Sequence, residues 1–279
     1  MKKLLSLTLL MACAMGFTYA QSVDIGVKGG LSIPNLSASG SETTPLNEGY
    51  SSRTGPGFAV FADIKFSKLF SIQPSIEFSA QGGKKNGLQA FPAEDFAAKA
   101  EGLIPAELLP AITSQLPQYL YADFNSTAKM NYLLVPVLAK FGWDFSQESP
   151  FRFYAGAGPF VGFLMSAKQI TSGNSQIYLD EGGQTPLTIS IPNPQDPSSP
   201  ITIPVPASDF NAETDIKDQL NKVNFGFQAN VGLSYKINRS SIFVEGGGNY
   251  GLINIQKGTA NGKNNTGAAT VMIGYAYSL

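Results

Sequence analysis

The sequence contains no histidine and a single cysteine, Cys13. Imidazole is the side chain best poised to move protons near neutral pH, so its absence excludes hydrolytic sites built on a histidine base. One thiol cannot close an intramolecular disulfide, and the usual His and Cys ligand sets of transition metals are missing. Charge is scarce too. Asp, Glu, Lys and Arg make up 14% of the chain, against about 25% in an ordinary soluble domain. The 19 basic and 20 acidic residues nearly cancel, which leaves no basic surface suited to nucleic acid. Beyond residue 20, no segment approaches the ~20 continuous apolar residues of a membrane-crossing helix.

What is present begins with a leader pattern. Lys2 and Lys3 precede an apolar run over 4–15, and Thr18-Tyr19-Ala20 supplies small residues for cleavage. The expectation is a secretory signal peptide over 1–20, followed by one domain over 21–279. Leu10-Met11-Ala12-Cys13 loosely resembles a lipoprotein signal, although Met11 fits that motif poorly. Cleavage after Ala20 would remove the cysteine and two lysines, leaving 17 basic residues against 20 acidic ones.

Glycine is abundant, at 29 residues, and the rest of the chain alternates. Over 223–237 the odd positions are Val223, Phe225, Phe227, Ala229, Val231, Leu233, Tyr235 and Ile237. The even positions are Asn224, Gly226, Gln228, Asn230, Gly232, Ser234 and Lys236. Strict alternation over such a length predicts a strand with one apolar and one polar face. Weaker or shorter versions recur at 23–33, 58–66, 70–78, 132–143, 151–166, 242–252 and 271–279. In 132–143 both faces carry apolar residues. These segments predict an all-β fold, an eight-stranded antiparallel up-and-down transmembrane barrel, because closure leaves no backbone edge facing lipid. Phe58, Phe66, Phe70, Phe78, Phe151, Phe153, Tyr275 and Tyr277 fall near strand ends, as interfacial aromatic girdles would.

The connections carry an independent signal. Those through 67–68, 144–150 and 238–239 are short, and those over about 34–56, 82–130, 167–222 and 256–267 are long. Short and long alternate, so the long ones gather at one end, as external loops do opposite periplasmic turns. The expected location is the outer membrane of a Gram-negative cell envelope, with both termini in the periplasm. Within the loops, 92–119 holds two helix-like pieces; the second carries Leu108, Leu109, Ile112 and Leu116 at helical spacing and is interrupted by Pro110. Residues 187–191 and 201–205 read as a β-hairpin, and 208–222 as an amphipathic helix capped by Ser208.

Several segments resemble the PorT-like outer-membrane β-barrel family: 23–33 (VDIGVKGGLSI), 131–140 (NYLLVPVLAK), 154–168 (YAGAGPFVGFLMSAK) and 225–255. The Tyr-Leu-x-x-Pro run at 132–136 and the Gly-Pro-x-x-Gly run at 158–162 are the most specific. An acid frequent in the family is replaced by Leu134. The resemblance implies an outer-membrane location and a small barrel. It implies no single activity, since a founding member serves a protein-secretion machine, and no functional residue is carried over.

The predicted inward faces carry Asp24, Asp63, Glu77 and Glu245 beside Lys28, Lys65, Lys140, Arg152 and Lys236. In a lumen only wide enough for side chains, these are expected to form a structural polar network rather than a catalytic site. Gly246-Gly247-Gly248 lacks the strand-to-helix context of a phosphate cradle. No enzyme activity, catalytic residue, cofactor or metal is expected. The expected partners are outer-membrane lipid and a protein or small ligand at the external loops. The alternatives are a narrow porin-like channel and a component of a secretion assembly.

Overall fold

A computed structural model describes residues 22–38, 44–100, 113–114, 116–191, 193, 195, 199–258 and 262–279. The expected signal peptide lies outside these residues. Eight long strands form the wall: β1 (Ser22–Ala38), β2 (Gly55–Lys65), β3 (Phe70–Pro92), β4 (Tyr119–Asp144) and β5 (Phe151–Ser172), then β12 (Val223–Ile237), β13 (Ser240–Gly251) and β14 (Asn264–Ser278). Between β3 and β4 runs the helix α1 (Ala93–Ala100). Between β5 and β12 lie six short strands: β6 (Asn174–Ser175), β7 (Ile177–Tyr178), β8 (Thr188–Ile191), β9 (Ile201–Pro204), β10 (Ser208–Asp209) and β11 (Ala212–Asp215). Each wall strand pairs antiparallel with its neighbours in sequence, and β1 pairs with β14. The sheet is therefore a closed ring.

Side-chain period fixes which face points where. The outer face carries Ile25, Val27, Phe58, Val60, Phe227, Val231 and Ile273, all exposed, whereas Lys28, Asp63, Glu77, Asn230 and Glu245 are buried within. An inside-out arrangement of this kind is favourable only where lipid surrounds the wall. Phe141, Trp143, Phe151, Phe153, Tyr235, Tyr275 and Tyr277 ring the short-turn end. There Trp143 stacks on Phe153 and Phe151 meets Tyr235 edge-on. Two short turns have local causes. Ser67 Oγ accepts the Phe70 amide at 2.9 Å, and Asn238 supplies the positive φ of 54° that the tight β12–β13 turn needs.

Five strands, β1, β3, β4, β5 and β14, run well past their expected ends, and β4 shows why. Along its lower half the outward residues are Leu133, Val135, Val137, Ala139, Phe141 and Trp143. Above Tyr132 they become Asn131, Lys129, Thr127, Asn125 and Asp123, while Met130, Ala128, Phe124, Ala122 and Leu120 turn inward and are buried. The strand keeps its phase and a largely apolar inner face, while its outer face changes from apolar to polar because that side passes from lipid into water. At that level β4 and β5 slip by one residue, with Asn131 opposite Ser166 and Tyr132 opposite Leu164. Met165 is thus the extra residue of a β-bulge, a device that bends a strand locally.

Above the bulge the strands enclose a second core. Leu120, Ala122, Phe124, Ile177, Leu187 and Phe210 pack together under the connecting segments, and Phe124 stacks on Phe210 at 4.7 Å. The hairpin expected over 187–191 and 201–205 is present as β8 paired with β9. The first helix-like piece forms α1; most of the second, including Leu108, Leu109 and Ile112, lies outside the described residues. The capped helix expected over 208–222 does not form. Residues 212–215 instead extend the sheet as β11, pairing with 168–171 of β5, and only Lys217–Gln219 makes a 3-10 turn. The rising edge of β5 offers unpaired backbone groups there, and satisfying them outweighs a weak local helix preference.

Candidate functional site

The lumen is built from the inward side of the strand alternation. At its short-turn mouth Lys65 meets Asp24 at 2.5 Å and Arg152 meets Asp144 at 2.8 Å. Further in, Lys140 is 3.0 Å from Asp63, and its ammonium lies 4.0 Å from the centroid of the Tyr154 ring. Phe61, Tyr154 and Phe243 close around this level with Ala276; the Phe61 and Phe243 rings meet edge-on at 5.7 Å. The centre belongs to Lys28, which lies 2.7 Å from Glu245 and 3.8 Å from Glu77. Tyr154 donates its hydroxyl proton to Glu245 at 3.0 Å, and Gln228 donates to Glu77 at 3.2 Å. Both carboxylates are thus held from two sides, which a charge withdrawn from water requires.

Above the charges the lining sets amides beside hydrocarbon. Gln81 donates to Ser79 at 2.8 Å and to Asn249 at 3.0 Å, and Asn224 donates to Thr266 at 3.0 Å. Met130, Tyr132, Leu134, Phe160 and Leu164 of β4 and β5 pack together with Leu36 of β1 beside these amides.

Of the nine charged residues read from the sequence, the structure gathers Lys28, Glu77 and Glu245 at the centre. It pairs Lys140 with Asp63 below them, and Lys65 with Asp24 at the mouth. Arg152 is half exposed at the rim and pairs with Asp144, which the inward pattern did not include. Lys236 departs from the expectation. It sits next to the β12–β13 turn, exposed, with no ion-pair partner among the described residues, because the wall ends there and water replaces the lumen. Tyr154 and Gln228 were missed as partners. Each lies on the inward parity of its strand, so the signal was available to a reading that counted uncharged polar groups.

The long-loop end carries its own polar fixtures. The Asp180 carboxylate accepts the amides of Gln184 at 3.0 Å and Thr185 at 2.6 Å, and these donors hold it below the usual carboxylate range. Glu213 and Lys168 meet at 2.5 Å and stabilise each other's charged form. Two clefts flank Leu116. One of about 470 Å³ is lined by Leu46, Pro92, Ala97 and Tyr119. The other, of about 220 Å³, is lined by Phe96, Leu179, Leu187 and Ile189. No group of three or more acids suited to a metal ion occurs among the described residues.

A closed antiparallel ring, apolar on its outer face and charged within, defines an outer-membrane β-barrel. The chain belongs to the outer membrane protein beta-barrel domain family, whose profile it matches over residues 19–257. No curated protein matches its sequence. Among solved structures it is similar to Ail, the attachment invasion locus protein of Yersinia pestis, at 10% identity and a TM-score of 0.34. That match covers 93% of this chain and 100% of the other. Neisserial surface protein A matches at 12% identity, 90% and 95% coverage and a TM-score of 0.33. OprG of Pseudomonas aeruginosa matches at 10%, 93% and 97%, also with a TM-score of 0.33.

Proposed function

We propose that the protein is a non-conducting, non-enzymatic barrel that acts through the surface built by its long connections, where it binds a protein partner or a small ligand. The observation that carries this reading is the filled lumen, in whose upper part Met130, Tyr132, Leu134, Phe160 and Leu164 of β4 and β5 pack with Leu36 of β1. A water path through the barrel would also have to pass the interlocked Lys28, Glu77 and Glu245, with Leu134 directly opposite Glu77 in the β3–β4 register. The second core beneath the connections supports the same reading, since it gives the external end a preformed shape that limits the entropy cost of binding. The lack of histidine argues against proton-transfer chemistry in the lumen.

Single-channel recording of the purified protein in planar bilayers tests the proposal. Silence is expected; reproducible steps would favour the narrow channel. In the orientation we infer, both termini are periplasmic and the long connections face outward. Protease added to intact cells is then expected to cut within 93–118 or 173–222, and cutting at 67–68 or 238–239 would invert that orientation. The PorT-like character of 132–136 and 158–162 raises a part in a secretion assembly. Affinity purification from native membranes would then recover further envelope proteins, and recovery of the barrel alone would count against it.

A further inference from the structure

One sector of the wall carries a row of lysines just above the lipid-facing band. On β4 the last apolar outward residue is Leu133, and Lys129 follows four positions further up. At about 3.3 Å per residue and a strand tilt near 40°, Lys129 stands roughly 10 Å above Leu133, the height of lipid headgroups. Lys168 is its direct cross-strand partner on β5. Lys217 donates to the carbonyl of Met165 at 2.8 Å, and Lys257 donates to the carbonyl of Asp218 at 2.6 Å. Lys222 lies beside Leu164, its carbonyl accepting the Leu164 amide at 2.8 Å.

The carboxylates of this sector do not balance those lysines. Glu213 is engaged by Lys168 at 2.5 Å, Asp218 by Lys222 at 3.4 Å, and Asp215 sits opposite Lys168 in the β11–β5 register. Three acids therefore face five lysines. Lys129 has no carboxylate within ion-pair distance among the described residues, and like charges directly opposite in a sheet destabilise it. Lys217 and Lys257 are anchored by backbone carbonyls, which fixes each ammonium while leaving further N–H groups free. At the corresponding height the outward positions of β1 and β14 are Asn35 and Gly267, a cross-strand pair without charge.

We propose that this sector of β4, β5 and β11 binds the phosphate groups of an outer-leaflet glycolipid, seated beside the wall with its acyl chains along Leu133, Phe163 and Met165. Phosphate supplies the missing negative charge and several acceptors for lysine donors at one height. The assignment rests on the outward orientation inferred above, but binding in detergent micelles is independent of it, so the two can fail separately.

The test is native mass spectrometry of the micelle-solubilised barrel with added diphosphorylated lipid A, alongside its dephosphorylated counterpart. The wild-type protein is expected to retain the phosphorylated lipid and not the other. The Lys129→Gln/Lys168→Gln/Lys217→Gln variant is expected to lose about tenfold in retention, and the matching Lys→Arg variant to keep it. Lys129→Gln alone, which breaks no ion pair or side-chain hydrogen bond among the described residues, is expected to lose about threefold, so the outcome does not hang on the triple variant folding. Equal retention by wild type and Lys129→Gln, or equal retention of both lipids, would overturn the proposal.

Discussion

Gly274 on β14 stands directly opposite Phe243 on β13, and its missing side chain is the space that the Phe243 ring occupies. The relationship repeats around the inner wall. Gly26 faces Phe61, and Gly232 and Gly226 face Tyr154 and Phe160. In each case a methyl group at the glycine would overlap the partner's ring. The abundance of glycine is thus tied to the large side chains of the lumen: each ring lies flat over a neighbour that has none, and shields bare backbone in return.

Gly274→Val should therefore destabilise the barrel by about 1–3 kcal/mol, the usual cost of overpacking. Gly246→Ala, on the lipid face with only a backbone oxygen at 3.9 Å from the new carbon, should change stability little. Urea-dependent folding into lipid vesicles, followed by the heat-modifiable shift on gels, compares them. Equal losses would mean that the ring–glycine pairing does not shape the inner wall.

The facing of β12 has a direct test in adjacent residues. Val231 is 51% exposed on the outer face, and Asn230 is 5% exposed on the inner. Arg at a lipid-facing midplane position costs about 2–4 kcal/mol. Val231→Arg should impair folding into bilayers by that amount, and Asn230→Ser by much less. If the two variants fold equally well, β12 does not cross a membrane.

Lys28 holds two buried carboxylates, so its removal leaves both without their cation. Lys28→Met should cost about 3–5 kcal/mol, the range for breaking a buried ion pair from one side. Adding Glu245→Gln should recover part of the loss by removing the stranded charge. A double variant no more stable than the single would place the cost in packing rather than electrostatics.

Low pH should act on the long connection around Asp180. Its carboxyl is held below the usual range mainly by the Gln184 amide, with the Thr185 amide adding to it. A depressed folded-state value means that the turn is fully supported above the ordinary carboxylate value of about 3.9 and loses support as pH falls through the lower folded value. An NMR titration of the side-chain carboxyl carbon should give a midpoint below about 3.9. A midpoint at or above it would show that the two amides do not bind the carboxylate in solution.

The membrane half of the wall was legible in the sequence because lipid imposes one rule on every strand: apolar out, polar in. Residues 223–237 obey it without exception, and the three short turns sort the loops. The upper half was hidden because water reverses the rule while the strand continues, so 119–130 reads as a loop with scattered apolar residues. Leu134, Pro136 and Leu138 blurred the pattern for a related reason, since they line the lumen near its apolar cluster and give β4 hydrocarbon on both faces. The misplaced helix over 208–222 shows the limit of local chemistry. Asp209 accepts the amide of Asn211 at 2.8 Å and Asp215 that of Lys217 at 2.9 Å, so residues that favour helix starts serve here as turn-makers beside an open sheet edge. For the lumen, charge alone found the lysines and acids but not Tyr154 or Gln228, whose contacts depend on which strands the closed ring brings face to face.

The bulge at Met165 and the change of face beside it divide β4 and β5 into two territories with separate demands. Below, a substitution is judged by lipid and by a crowded lumen, and few side chains satisfy both. Above, it is judged by a small water-covered core whose borders are connecting segments rather than a closed ring. Residues can be added, lost or exchanged in the upper territory without altering how deep the lower one sits or whether it inserts. A lineage can therefore change what the upper end touches while insertion into the membrane stays the same.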